Sequence, residues 1–189
     1  FGPNRPMHSG HYGNWAPNPG VAIAHLVASM RDRDGRILMA GFHDDVRAPT
    51  ASESAAGRAL SATDDSLRRS LGLTRTEASS APLGERIMLP ALNVRGLRAG
   101  AVGGQAANAV PTSASVSIDF RLVPDQSPTR LRSVVDAHLR AQGYEVLTDA
   151  AEAARRPDRE RIALVDWSDG YRSVRASFDA PVTSAALEV

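Results

Sequence analysis

The 189-residue sequence contains no cysteine, so disulfides and thiolate metal sites are closed to it. Lysine is missing as well. All 22 basic residues are arginine, set against 21 acidic ones for a net charge of +1. A chain so balanced projects no broad positive field toward nucleic acid or an anionic membrane. The all-arginine complement reads as compositional bias and not as a recognition surface. Aromatic residues are only 5% of the chain, which leaves the core to Ala, Val, Leu and Ile. No apolar run approaches the roughly 18 residues that a membrane helix needs. There is no phosphate-binding glycine loop, no G-x-S-x-G elbow and no Cys/His pair. The opening Phe1-Gly2-Pro3-Asn4-Arg5-Pro6 has neither an initiator Met nor a leader, as expected of an excised segment. The compartment, cytoplasmic or exported, stays open.

What is present is an ordinary globular composition, 42% hydrophobic and 23% charged, suited to one domain with an insertion. Residues 1–17 are rich in Gly, Pro, His and Asn and predict extended loop. Asn18-Pro19 predicts a capped helix start, and Ile23, Leu26, Val27 and Met30 follow at helical spacing up to a stop at Asp34-Gly35. Residues 36–42 predict a short extended stretch. From about 48 to 84 the composition shifts to Ala, Ser, Thr, Glu and Arg, a helical insertion with Leu60, Leu67, Leu71 and Leu73 as expected anchors and Ser79 to Gly84 as its exit.

Leu92, Val94 and Leu97 predict a strand. The clearest strand is 114–122, where Ala114, Val116, Ile118, Phe120 and Leu122 alternate with Ser115, Ser117, Asp119 and Arg121. Ser127-Pro128 opens a second helix with Leu131, Val134, Val135 and Leu139 inward and Gly143 at its end. A strand is expected from Tyr144, with a hairpin-like pair from 162–165 and 171–176. This order predicts an α+β, ferredoxin-like βαββαβ sandwich, an antiparallel sheet with two helices on one face. Such a fold hosts many functions and decides none.

Of the five histidines, His25 and His138 fall on helix surfaces or core edges. His43-Asp44-Asp45 is the one local cluster, but adjacent extended residues point apart, so it reads as a turn and not as a metal site. His8 and His11 sit with Gly10, Gly13 and Asn14 just ahead of a capped helix. That is a place able to offer an imidazole and backbone donors to an anion or a carbonyl oxygen. Arg121 is a permanently charged fork on a polar strand face, either a partner of Asp119 or a clamp for a carboxylate. Residue chemistry by itself leaves the function undecided.

Several phrases in series are more specific. Met7-His8-Ser9-Gly10-His11-Tyr12-Gly13 with Asn18-Pro19 resembles the H-S-G-x-x-G … N-P segment of the zinc-dependent metallopeptidases, the family of carnosinase-like dipeptidases, aminoacylase and related deacylases. Gly41-Phe42-His43-Asp44-Asp45-Val46, Asn93-Val94-Arg95-Gly96-Leu97, Asn108-Ala109-Val110-Pro111 and Ile118-Asp119-Phe120-Arg121-Leu122-Val123-Pro124 are similar to further phrases of that family, in family order. His43 stands where an aromatic is usual, and Ala109 is smaller than the common valine.

The resemblance implies a lid and dimerisation domain over 1–176, with 177–189 starting the return into a catalytic domain. That catalytic domain would hold two zinc ions, while this chain supplies no metal ligand and is inactive alone. The implied partners are the catalytic domain, a second copy in a homodimer, and a peptide or acyl-amino-acid substrate, with no nucleic acid and no membrane. His8 is the implied donor that polarises the scissile carbonyl across the dimer. Asn108 is implied to bind substrate, and Arg121 to grip its terminal carboxylate. The insertion favours dipeptides or short peptides. An N-acyl amino-acid deacylase lid and a stand-alone ligand-binding or dimerisation module are the alternatives.

Overall fold

In the computed structural model, residues 1–78, 81–154, 161–177, 180, 181 and 183 are described. The first residues are less loop-like than their glycines and prolines suggest. β1 (Met7–His8) runs straight into a single helical turn, α1 (Ser9–Tyr12). The next helix, α2 (Pro19–Met30), starts where expected. The Asn18 side chain accepts the Gly20 N–H, and proline occupies the first turn, where its missing N–H is no loss. Met30 is buried, while Ile23, Leu26 and Val27 are half-buried.

The expected extended stretch at 36–42 is not a strand. Ile37 makes one isolated bridge to Arg31, and the chain then turns through Gly41, whose φ of +77° suits glycine. Its apolar residues are nevertheless central, since Ile37, Met39 and Phe42 are core residues. The buried Gln126 side chain explains how a ladder is avoided. It donates to the Phe42 carbonyl at 2.9 Å and accepts the Val123 N–H at 3.2 Å, so these buried backbone groups are satisfied without a strand partner.

The insertion is helical, as its composition predicts: α3 (Ala51–Ala59), a 3-10 turn at Leu60–Thr63, α4 (Asp64–Ser70) and α5 (Leu83–Arg86). Ser79 and Ser80 of its expected exit lie outside the described residues. Its expected anchors are wrong: Leu60, Leu67, Leu71 and Leu73 are all exposed. Two other features hold it. Gly57 and Gly84 let α3 and α5 approach backbone to backbone, too closely for any Cβ. Glu53, only 4% exposed, accepts from Arg47 at 2.9 Å and pairs with Arg175 at 3.4 Å. A Thr50–Glu53 capping box starts α3, a signature present in the sequence as T-x-x-E.

β2 (Ala91–Arg98) pairs antiparallel with β4 (Ser115–Arg121), Ala91 facing Arg121 and Arg98 facing Ser115, with an irregularity between Val94 and Gly96. β3 (Ala109–Val110) lies between them in sequence but pairs with β1. The alternation read from 114–122 holds, except that Asp119 is half-buried. α6 (Pro128–Ala141) is capped by Ser127 and buries Leu131, Val134, Val135 and Leu139, the four residues its periodicity selects. Gly143 follows at φ +82°.

β5 (Glu145–Leu147), α7 (Ala150–Ala154) and β6 (Ile162–Leu164) complete the order. β6 pairs in parallel with β5 and is not half of a hairpin with 171–176, which carries no strand. Among the described residues the strands therefore form three two-stranded pairs, β1–β3, β2–β4 and β5–β6, in place of the single antiparallel sheet expected. Pieces of two or three residues are too short to carry a continuous ladder. A common core unites the β2–β4 and β5–β6 pairs: α6, Met30, the 37–42 turn and Leu92 form one buried cluster, with Phe120, Val146 and Trp167 packed against it. The class is α+β, and no helix among the described residues is long and apolar enough to cross a membrane.

Candidate functional site

The three residues singled out for chemistry divide into a pair and an outlier. His8 ends β1, where it pairs with Ala109 of β3, and the following Ser9 N–H donates to the Asn108 carbonyl at 2.9 Å. His8 and Asn108, a hundred residues apart in sequence, are thereby neighbours on one exposed rim. The His8 ring turns back on its own chain: its Nδ1 accepts the Gly10 N–H at 3.1 Å, and the His11 ring lies 4.9 Å from it. Tyr12 and the exposed Trp15 continue this line of rings.

Beside the rim runs an open groove of about 480 Å³, lined in part by Pro6, Arg98, Gln105, Ala107, Ala109 and Ser115. Arg98 and Ser115 are the facing residues at one end of the β2–β4 pair, so this end of the hairpin adjoins His8 and Asn108. Arg121 occupies the other end, opposite Ala91. Its side chain is 74% exposed and pairs with Asp119 at 3.2 Å. Six residues of strand separate Ser115 from Arg121, about 20 Å at the rise of a β-strand. Within one copy of the chain, Arg121 does not join the other two.

Two of the remaining histidines, His138 and His43, have structural roles. His138 on α6 shares a 2.9 Å hydrogen bond with Ser29 of α2, which ties the two helices, and burial holds its pKa below the ordinary histidine value. His43 stacks edge-on against Phe42, while Asp44 and Asp45 both face Arg130 at the start of α6, the turn its sequence predicts. Among the described residues, no three His, Asp or Glu groups converge to hold a metal. The described residues thus do not fit a zinc pair.

Two features escaped sequence reasoning. The contact between Gly10 and His8 depends on a backbone direction that no residue type announces. The Glu53 cluster joins residues 47, 53 and 175, and only the T-x-x-E capping box was there to draw attention to Glu53.

Comparison with known proteins adds the following. The family described as the peptidase dimerisation domain matches residues 2–146. The Cys-Gly metallodipeptidase of Saccharomyces cerevisiae is 26% identical over 187 residues, covering 97% of this chain and 37% of that protein. Its Candida albicans counterpart is 23% identical, covering 98% of this chain and 36% of that one. An M20 family metallo-carboxypeptidase from Sulfolobus solfataricus has a similar structure, with a TM-score of 0.72 and 25% identity over 98% of this chain and 44% of that chain. Human carnosine dipeptidase 1, at 22% identity, shares the fold with a TM-score of 0.64 over 74% of this chain and 30% of its own. The chain thus spans little more than a third of the length of the curated relatives it matches.

Proposed function

The chain belongs to the M20 peptidase dimerisation domain family, and from that premise we propose that it is the substrate-binding lid of a homodimeric di-zinc dipeptidase. Residues 1–176 form the lid, and 177–189 lead toward the catalytic part of the parent. The relatives named for Cys-Gly dipeptides and the helical insertion support dipeptides over acylated amino acids as substrate. The zinc ions belong to the parent's catalytic part and supply the activated water there.

The observation that supports the reading is the separation of the candidate residues, His8 and Asn108 beside one end of the β2–β4 pair and Arg121 at the other. A dipeptide spans about 7 Å, at most 3.6 Å for each residue. Arg121 lies about 20 Å along β4 from Ser115, the end that adjoins His8 and Asn108, so one copy does not readily bring all three to a single dipeptide. In a two-fold dimer it need not. One subunit presents His8 and Asn108 to the substrate whose terminal carboxylate is gripped by Arg121 of the partner subunit. His8 donates a hydrogen bond to the scissile carbonyl oxygen as it gains charge, Asn108 binds the substrate backbone, and the Arg121 fork holds the carboxylate.

The test uses the full-length enzyme with Cys-Gly as substrate. His8→Ala lowers kcat by roughly 100-fold or more, with a smaller change in KM. Heterodimers of His8→Ala with Arg121→Ala subunits then regain activity, because one of their two sites receives both intact residues. Verified heterodimers as inactive as their parents would mean that both residues serve one site from one subunit, and the reading would fall. Faster turnover of an N-acyl amino acid than of any dipeptide would reassign the substrate.

A further inference from the structure

The His8 ring makes a contact that substrate binding does not require. The Gly10 N–H points at His8 Nδ1 from 3.1 Å. A backbone amide can only donate, so Nδ1 must be the unprotonated ring nitrogen. The single proton of the neutral imidazole then sits on Nε2, the nitrogen left for substrate. An imidazolium would carry a proton on Nδ1 as well and would forfeit this bond. The contact also depends on residue 10 having no side chain. A Cβ there would lie 3.0 Å from Cε1 and 3.1 Å from Nδ1 of His8, tighter than most such contacts, so the ring would have to give by a few tenths of an ångström, which lengthens its bond to the amide. The His11 ring, 4.9 Å away, is its other close neighbour.

We propose that Gly10 is the positioning residue for His8: its N–H selects the Nε2–H tautomer and its bare Cα leaves the ring room to keep it. The proposal rests on His8 being the carbonyl donor. His8 then meets the carbonyl already oriented, with its proton on the outward nitrogen. It gives up no proton during the reaction and needs none from solvent. A donor aimed beforehand requires no rearrangement as charge develops, and a misplacement of about 1 Å costs on the order of 100-fold in rate.

Gly10→Ala tests this. Both residues are exposed and alanine favours a helical turn over glycine, so the variant folds. In the full-length enzyme, Gly10→Ala lowers kcat for a dipeptide by roughly 3- to 10-fold and leaves KM within about twofold, a smaller loss than the roughly 100-fold of a 1 Å misplacement. In the isolated chain with nitrogen-15-labelled histidine, wild-type His8 shows one tautomer, protonated at Nε2, whereas Gly10→Ala shows a mixture. A variant with wild-type kcat, or with the wild-type tautomer retained, overturns the proposal, as does a wild-type ring protonated at Nδ1. His8→Ala measured beside it separates the two levels. If that change is harmless the donor role itself fails; if it is damaging while Gly10→Ala is not, only the positioning role fails.

Discussion

The role proposed for Arg121 follows from where its strand ends. Alternation turns it away from Phe120 and the core, and at 74% exposure its guanidinium pairs with Asp119 at 3.2 Å. An exposed pair of that kind is worth about 0–1 kcal/mol, so a substrate carboxylate can replace it at little cost. A charge-assisted, two-point contact in a closed site is worth about 1.5–3 kcal/mol, and its loss in Arg121→Ala should raise KM for dipeptides by about 10- to 150-fold. Lysine should restore only part, because it lacks the planar fork. The comparison that decides is a dipeptide amide, which has no carboxylate to lose. Wild type should process it poorly and Arg121→Ala little worse. Equal losses on acid and amide would mean that Arg121 supports the fold and not the substrate.

At the scale of elements, the insertion is held by charge more than by apolar burial. α3 places Glu53 inside a ring of donors, and the result is a carboxyl pKa lowered from 4.5 to about 2. The Arg47 hydrogen bond is the largest cause, followed by the Thr50 N–H, with the charges of Arg47 and Arg175 adding to them against the cost of burial. A folded-state pKa below the unfolded one stabilises the fold above the unfolded value and loses that stabilisation as pH falls through the folded value. The insertion should therefore loosen between about pH 4.5 and about pH 2. Hydrogen exchange of the α3 amides as a function of pH reads this directly. Glu53→Gln should raise α3 exchange at neutral pH and flatten the acid dependence. An unchanged profile in the variant would show that the ion cluster does not hold the insertion.

For the whole molecule the question is how two copies meet. Val21, at 55% exposure, stands with Ala24 and Ala28 on the outer side of α2, a small apolar surface beside His25. β2 pairs with β4 on one edge and, among the described residues, with nothing on the other. An open strand edge and a small apolar helix face each suit isologous pairing, in which each copy uses the same patch. Sedimentation at increasing concentration should show a monomer–dimer equilibrium, weak in this chain and tighter in the full-length enzyme. Val21→Glu should weaken it at least 10-fold, about 1.4 kcal/mol. A wild-type chain that stays monomeric at every concentration, in both forms, would remove the basis for a site shared between subunits.

Local chemistry was legible in the residues themselves. Asn18-Pro19 and Ser127-Pro128 cap their helices, the four buried residues of α6 follow its periodicity, and strand 115–121 alternates, because caps and repeats act over one or two turns and need no distant partner. The phrases around His8, Asn108 and Arg121 were legible too, as a family resemblance that the match over residues 2–146 bears out at the level of the family. The long-range arrangement was not. The 36–42 segment reads as a strand but turns, because Gln126, some 84 residues away, satisfies the Phe42 carbonyl. The leucines of the insertion read as anchors but face outward, because Gly57 meets Gly84 and Glu53 meets Arg47 and Arg175 instead. Which site residues share an end of the hairpin was likewise settled by the β1–β3 and β2–β4 registers. Register depends on which strands find each other, and that is a property of the folded chain as a whole.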